Sequence, residues 1–244
     1  MFGGYDRITP PITKNLLIIN ALFFIATFVF QEVNICDLTI ELGAFYPGSN
    51  NFKPWQIITH MFMHGGFGHI FFNMFGLWMF GSTVEKTIGA KNYLLLYFFA
   101  GLGSFLLYNL YHYYDAESLI HVLNLNSNDV KELQNLPPYV HFESNELLSV
   151  LSQIYTIPMV GASGALYGLL VAFGVLYPNA ELMLLFFPVP VKAKYFIPGL
   201  IILALIQQKA NIEGDNIAHL AHLGGALFGF IFIRKWKQNR FRVN

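Results

Sequence analysis

Apolar residues in this chain gather into long runs divided by polar stretches. Six runs are legible, at 16–30, 69–88, 93–113, 161–177, 195–206 and 217–233. Such runs predict membrane spans, and helix follows because a backbone in lipid must satisfy its own hydrogen bonds. Several fall short of the roughly 20 residues that cross a bilayer comfortably, and 195–206 is the shortest. The apolar stretch 182–189 ahead of it, broken by Pro188 and then Pro190, is read as interfacial. Two stretches are read as non-helical. The first, 31–68, is rich in aromatics, glycine and histidine. The second, 114–159, has room for one short helix and carries Asp115, Glu117, Asp129, Glu132, Glu143 and Glu146 against Lys131.

Composition agrees with a membrane class. Of the 244 residues, 55% are hydrophobic, 17% aromatic and only 11% charged, whereas soluble proteins average about 25% charged residues. The net charge of zero gives no nucleic-acid surface. Cys36, the single cysteine, has no intrachain disulfide partner. The N-terminus does not read as a cleaved signal, because Pro10 and Pro11 precede the first run and no small-x-small site follows it.

Basic residues then orient the spans. With an even number of spans, one side collects Arg7, Lys14, Lys86, Lys91, Lys192, Lys194, Arg234, Lys235, Lys237, Arg240 and Arg242 out of 14 Lys and Arg in all. Only Lys53, Lys131 and Lys209 fall on the other side. The expectation is an all-α polytopic membrane protein, a six-transmembrane-helix bundle with both termini cytoplasmic in a bacterial inner membrane. Its parts would be a cytoplasmic segment 1–15, a membrane domain 16–233 with an exterior acidic insertion at about 114–159, and a basic tail 234–244.

Polar groups inside lipid are costly, and here they gather at one depth. His64, His69 and Asn73 stand at the start of the second span, Ser163 at the start of the fourth, and His219 and His222 near the start of the sixth. All of these starts face the exterior leaflet in the deduced topology. Ser163, in Gly161-Ala162-Ser163-Gly164, would sit at a helix N-terminus whose free amides and positive dipole end suit a developing oxyanion. Taken alone, that cluster is more often a helix-packing surface than a nucleophile. Gly225 and Gly229 make a small-xxx-small face, and His222 lies three residues before Gly225 on the same side of the helix. His222 can serve a serine hydroxyl as general base, or be a hydrogen-bonded structural histidine. His69 and Asn73 share a helix face and can donate to an oxyanion. Tyr167, four residues after Ser163, can hold the histidine ring. His219 is read as interfacial, and His60, His112, His121 and His141 as loop or interface residues. No Asp or Glu lies in a span at the level of Ser163, so a Ser-His dyad is favoured over a triad.

In order, spacing and membrane setting, three motifs resemble the rhomboid family of intramembrane serine proteases: His64-xxxx-His69-xxx-Asn73, Gly161-Ala162-Ser163-Gly164 and Ala221-His222-xx-Gly225-xxx-Gly229. The resemblance covers about 55–230 and extends to Glu85-xxx-Gly89. It implies Ser163 as nucleophile and His222 as base. It further implies His69, Asn73 and the Ser163 amide as oxyanion donors, Tyr167 as the ring packed on the catalytic histidine, and His64 in a structural or water-handling role. Substrates would be transmembrane proteins cut in or near their span, within the lipid bilayer and with no metal or organic cofactor. The family often has Trp-Arg where this chain has Trp55-Gln56, so the polar anchoring of the first loop is expected to differ. The acidic connection is also longer than in the family's simplest members.

Two other readings stay open: an inactive relative that binds membrane clients, and a haem-binding or transport protein, since intramembrane histidines suit both. Inactive relatives usually lack the serine or the histidine, and both are present. A zinc protease is disfavoured because none of the 8 histidines is followed by Glu.

Overall fold

The computed structural model describes residues 9–140, 142, 145–184, 187–210 and 219–240. Arg7, His141, Glu143, Arg242 and the start of the 217–233 run lie outside the described residues. The chain is mostly helical. Among the described residues two helices are long and apolar enough to cross a membrane, Pro11–Glu32 and Ala90–Val122, and shorter apolar helices cover Ser163–Leu176 and Ala193–Leu203.

Helix α1 (Pro11–Glu32) begins with proline in its first turn, where the missing amide costs nothing. Its free amides are satisfied from far along the chain: the buried Glu85 carboxylate accepts from Ile12 N at 3.0 Å, Thr13 N at 2.7 Å and Thr13 Oγ1 at 2.8 Å. A negative group at a helix N-terminus is favourable, so Glu85 ties α1 to the next rod. That rod, α2, runs through Phe67–Gly76, a wide π turn at Leu77–Gly81, and Ser82–Ile88.

Helix α3 (Ala90–Val122) has 33 residues and is therefore about 50 Å long, well beyond a bilayer core of about 30 Å. It continues nine residues past the predicted span, into the stretch read as non-helical. The reason is an amphipathic continuation. Ala116, Leu119, Ile120 and Leu123 share one face and pack on Leu133, Leu151, Ile154 and Tyr155. Those partners come from α4 (Ser127–Gln134) and α5 (Glu146–Thr156). Asparagine side chains cap both helices, Asn126 with a full capping box and Asn145 through Leu148 N. The acidic segment thus contains two helices and a small core of its own.

Helix α6 (Ser163–Leu176) is short and mostly buried. The stretch after it forms strands. Strand β1 (Glu181–Leu184) pairs antiparallel with β2 (Phe187–Lys192), with Glu181 opposite Lys192 and Leu182 opposite Val191. Helix α7 (Ala193–Ala210) contains Pro198. Helix α8 (His219–Arg240) carries its rod into the predicted tail, so Arg234, Lys235, Lys237 and Arg240 lie on its last turns. The main packing joins α3, α6 and α8.

Candidate active site

Local backbone pairing sets the approach to α6. Ala44 and Met159 form an antiparallel bridge, with N···O distances of 2.9 and 2.8 Å. Gly161 N donates to the His60 carbonyl at 2.9 Å. Gly161 sits at φ +129°, a conformation that side-chain-bearing residues rarely adopt. A Cβ there would lie 2.9 Å from both Cε1 and Nε2 of His69 and 3.5 Å from Ser163 Oγ. The glycine therefore leaves one small space bordered by the His69 ring and the Ser163 hydroxyl. Ser163 is the first residue of α6, where amides have no intrahelical acceptor and the helix dipole is positive.

Helix α8 supplies His222, whose Nε2 is 2.8 Å from Ser163 Oγ. The Tyr167 ring stacks on the imidazole, with centroids 4.3 Å apart and planes 5° from parallel. The stack fixes the ring orientation one helical turn below the serine. Such a short link between helices needs close backbones. At Gly225 an added Cβ would strike the Gly164 carbonyl oxygen, and at Gly229 it would strike Gly168 Cα.

The second rod brings in His69 and Asn73. Gly65 N donates to His69 Nδ1 at 3.4 Å, which makes Nε2 the protonated nitrogen of the neutral ring. That Nε2 borders the space at Gly161. Asn73 Nδ2 donates to the His69 carbonyl at 2.8 Å, and its second N–H remains available. His64 is buried with neither ring nitrogen hydrogen-bonded, and its ring lies 5.2 Å from that of His69.

Two histidines read as interface or loop residues are buried within the protein. His219, expected at the interface, is buried, with its ring 6.2 Å from that of His222. His60, expected to be incidental, is also buried and holds Gly161 through its carbonyl while its Nδ1 meets Gln56 O at 2.8 Å. The i, i+4 spacing of His60 from Gln56 was the only sequence signal of that role.

Gln56 anchors the first loop where the family pattern has arginine. Fully buried, it accepts from Phe45 N at 3.3 Å and Lys53 N at 3.0 Å. It donates to Ile40 O at 3.2 Å, Glu41 O at 3.4 Å and Asn51 O at 3.5 Å. A neutral amide with both donors and acceptors thus gathers backbone groups from two sides of the loop. Gln56→Ala would leave several buried groups unpaired, at about 1–3 kcal/mol for each left unsatisfied. Thermal unfolding in detergent should show Tm lowered by about 5 °C or more; an unchanged Tm would remove Gln56 as the anchor.

Ser163, His222, His69, Asn73 and His64 all line one cavity of about 1180 Å³. The acidic segment, read as an exterior insertion, also reaches it through Tyr139, Ile157, Pro158 and Met159.

A family model, the Rhomboid domain, matches residues 51–236. The chain is 30% identical over 235 residues to the mitochondrial RHOMBOID-like protein 12 of Arabidopsis thaliana, covering 95% of this chain and 60% of that protein. It is 27% identical to the mitochondrial Rhomboid protein 1 of Saccharomyces cerevisiae, over 77% of this chain and 45% of that one. A rhomboid-named protein of Bacillus subtilis is 26% identical, with 98% and 96% covered. The chain therefore spans about half of the yeast relative and three fifths of the plant one, but nearly all of the Bacillus protein.

Proposed function

The chain belongs to the rhomboid family of membrane proteins, and from that premise we propose that it is an intramembrane serine endopeptidase acting through a Ser163–His222 dyad on membrane-protein substrates. The observation that carries the reading is the 2.8 Å link between Ser163 Oγ and His222 Nε2, made between two helices and inside a cavity. A serine hydroxyl is a weak nucleophile until a neighbouring base takes its proton. As Ser163 Oγ attacks the scissile carbonyl carbon, its proton passes to His222 Nε2. The carbonyl oxygen becomes an oxyanion facing the Ser163 amide, His69 Nε2–H and the free N–H of Asn73. His222 then protonates the leaving amine as the C–N bond breaks, and an ester remains on Ser163. Water, deprotonated by His222, attacks that ester; as the ester C–O bond breaks, His222 returns the proton to Ser163 Oγ and the second product leaves as a carboxylic acid.

The reading also includes the six-span bundle with both termini on the cytoplasmic side of a cell membrane, supported by the side on which the basic residues collect. Short helices such as α6 would cross among other helices rather than against lipid.

The direct test places the purified full chain in liposomes with a single-span test substrate and maps the products by mass spectrometry. One defined cut in or beside the substrate span is expected; an intact substrate would count against the reading. Asn73→Ala should lower kcat by about 10²–10³-fold, the usual cost of losing an oxyanion donor, while a fluorophosphonate still labels Ser163. An unchanged kcat would place Asn73 outside the oxyanion site.

A further inference from the structure

The cavity holding Ser163 and His222 extends to the end of α1 and the first loop, where Gln31, Asp37 and Thr39 line it, and Tyr139 joins them from the acidic segment. Asp37 is the only Asp or Glu among the described residues lining the cavity, and no Lys or Arg lines it. The nearby Glu41 carboxylate is already paired with Lys53. A cavity with one fixed negative charge attracts a cation.

The Asp37 carboxylate and the Tyr139 backbone are both held in place. Asp37 Oδ1 accepts from Thr39 N at 2.7 Å, which fixes the carboxylate and leaves Oδ2 for a ligand. Tyr139 adopts φ +64°, a costly conformation for a bulky residue that persists only where its surroundings impose it. Its amide donates to the Thr156 carbonyl at 3.0 Å, and Thr156 Oγ1 donates to Val140 O at 2.8 Å from a fully buried position. Partial burial, with the Asp37 charge adding to it, pushes the Tyr139 hydroxyl up to about 12. The phenol is therefore neutral at physiological pH and keeps an electron-rich ring face near the carboxylate, a suitable pair for an ammonium or guanidinium group.

Resting on the protease reading, we propose that Asp37 and Tyr139 form a substrate subsite for a Lys or Arg side chain flanking the scissile bond. The acidic segment then takes part in choosing substrates, while the dyad performs the cut. An exposed ion pair with a cation–π contact is worth about threefold to tenfold in discrimination.

The test uses the full chain in liposomes with three single-span substrates that differ only in carrying Arg, Gln or Glu in the flank lying toward the first loop. Fluorophosphonate labelling of Ser163 is measured in parallel. kcat/KM should fall in the order Arg, Gln, Glu. Asp37→Asn, which keeps an acceptor for the Thr39 amide, should bring the Arg-to-Gln ratio close to one, and Asp37→Lys should invert the order to favour Glu. Tyr139→Leu should lower the Arg-to-Gln ratio as well. Equal kcat/KM for Arg and Glu substrates, with Ser163 labelled, would overturn the subsite and leave the protease reading standing. An order unchanged by Asp37→Lys would do the same. Loss of both labelling and cleavage for every substrate in the unmodified protein would remove the protease reading and the subsite with it.

Discussion

Ser163→Ala is expected to lose cleavage of a single-span substrate by at least about 10⁴-fold in kcat/KM, together with all fluorophosphonate labelling. The change removes only the hydroxyl, whose oxygen lies 2.8 Å from His222 Nε2. Half-buried at the first turn of α6 and lining a cavity, that oxygen is placed for attack, and the remaining oxyanion donors have no nucleophile to serve. His222→Ala should cost about as much, because residues acting as one unit are strongly non-additive. His219→Ala should cost far less. Its ring lies 6.2 Å from that of His222, one turn away on α8, and it is not among the residues lining the cavity. Full labelling in Ser163→Ala, or a larger loss from His219→Ala than from His222→Ala, would sink the dyad.

The membrane class and the cluster of polar residues were legible because each rests on local pattern. Apolar runs mark the helices, and the i, i+4 spacings put His69 with Asn73 and Ser163 with Tyr167. What was not legible depends on tertiary packing. The extension of α3 through 114–122 was hidden because Asp115 and Glu117 break the apolar run, while Ala116, Leu119 and Ile120 keep a helical face for a core built by α4 and α5. The hairpin at 181–192 was hidden because a short apolar run with prolines has no single preferred partner, and Pro190 occupies a place in the ladder opposite Met183. Gln56 stood out as a departure in the first loop, but what it and His60 hold was not legible, because their partners are backbone groups of distant loops. Only folding brings the His60 carbonyl to the Gly161 amide.

Gly225→Val is expected to abolish cleavage although it changes no group that takes part in the chemistry. A Cβ at residue 225 would strike the Gly164 carbonyl oxygen and lie 2.7 Å from its carbonyl carbon, where ordinary contact begins near 3.4 Å. The obstacle is backbone, so no rotamer change relieves it. Gly164 is itself confined, because the Ser104 side chain of α3 fills the place a Cβ on it would take. Helix α8 must therefore move away, and it carries His222 only three residues from the contact. A displacement of about 1 Å breaks a hydrogen bond of 2.8 Å, and misplacement on that scale costs about 10²-fold even where all groups remain. Valine, branched at Cβ, should displace the helix further than alanine, so activity should fall in the order Gly, Ala, Val at 225, with Tm falling in the same order as the small-residue contact opens. A haem or transport protein would not require these two helices to bring Ser163 and His222 together. The measurement is kcat/KM for each variant that remains monodisperse and helical in detergent. A folded Gly225→Val protein with undiminished activity would mean that α6 and α8 do not meet through Gly225, and the dyad geometry built on that contact would fall with it.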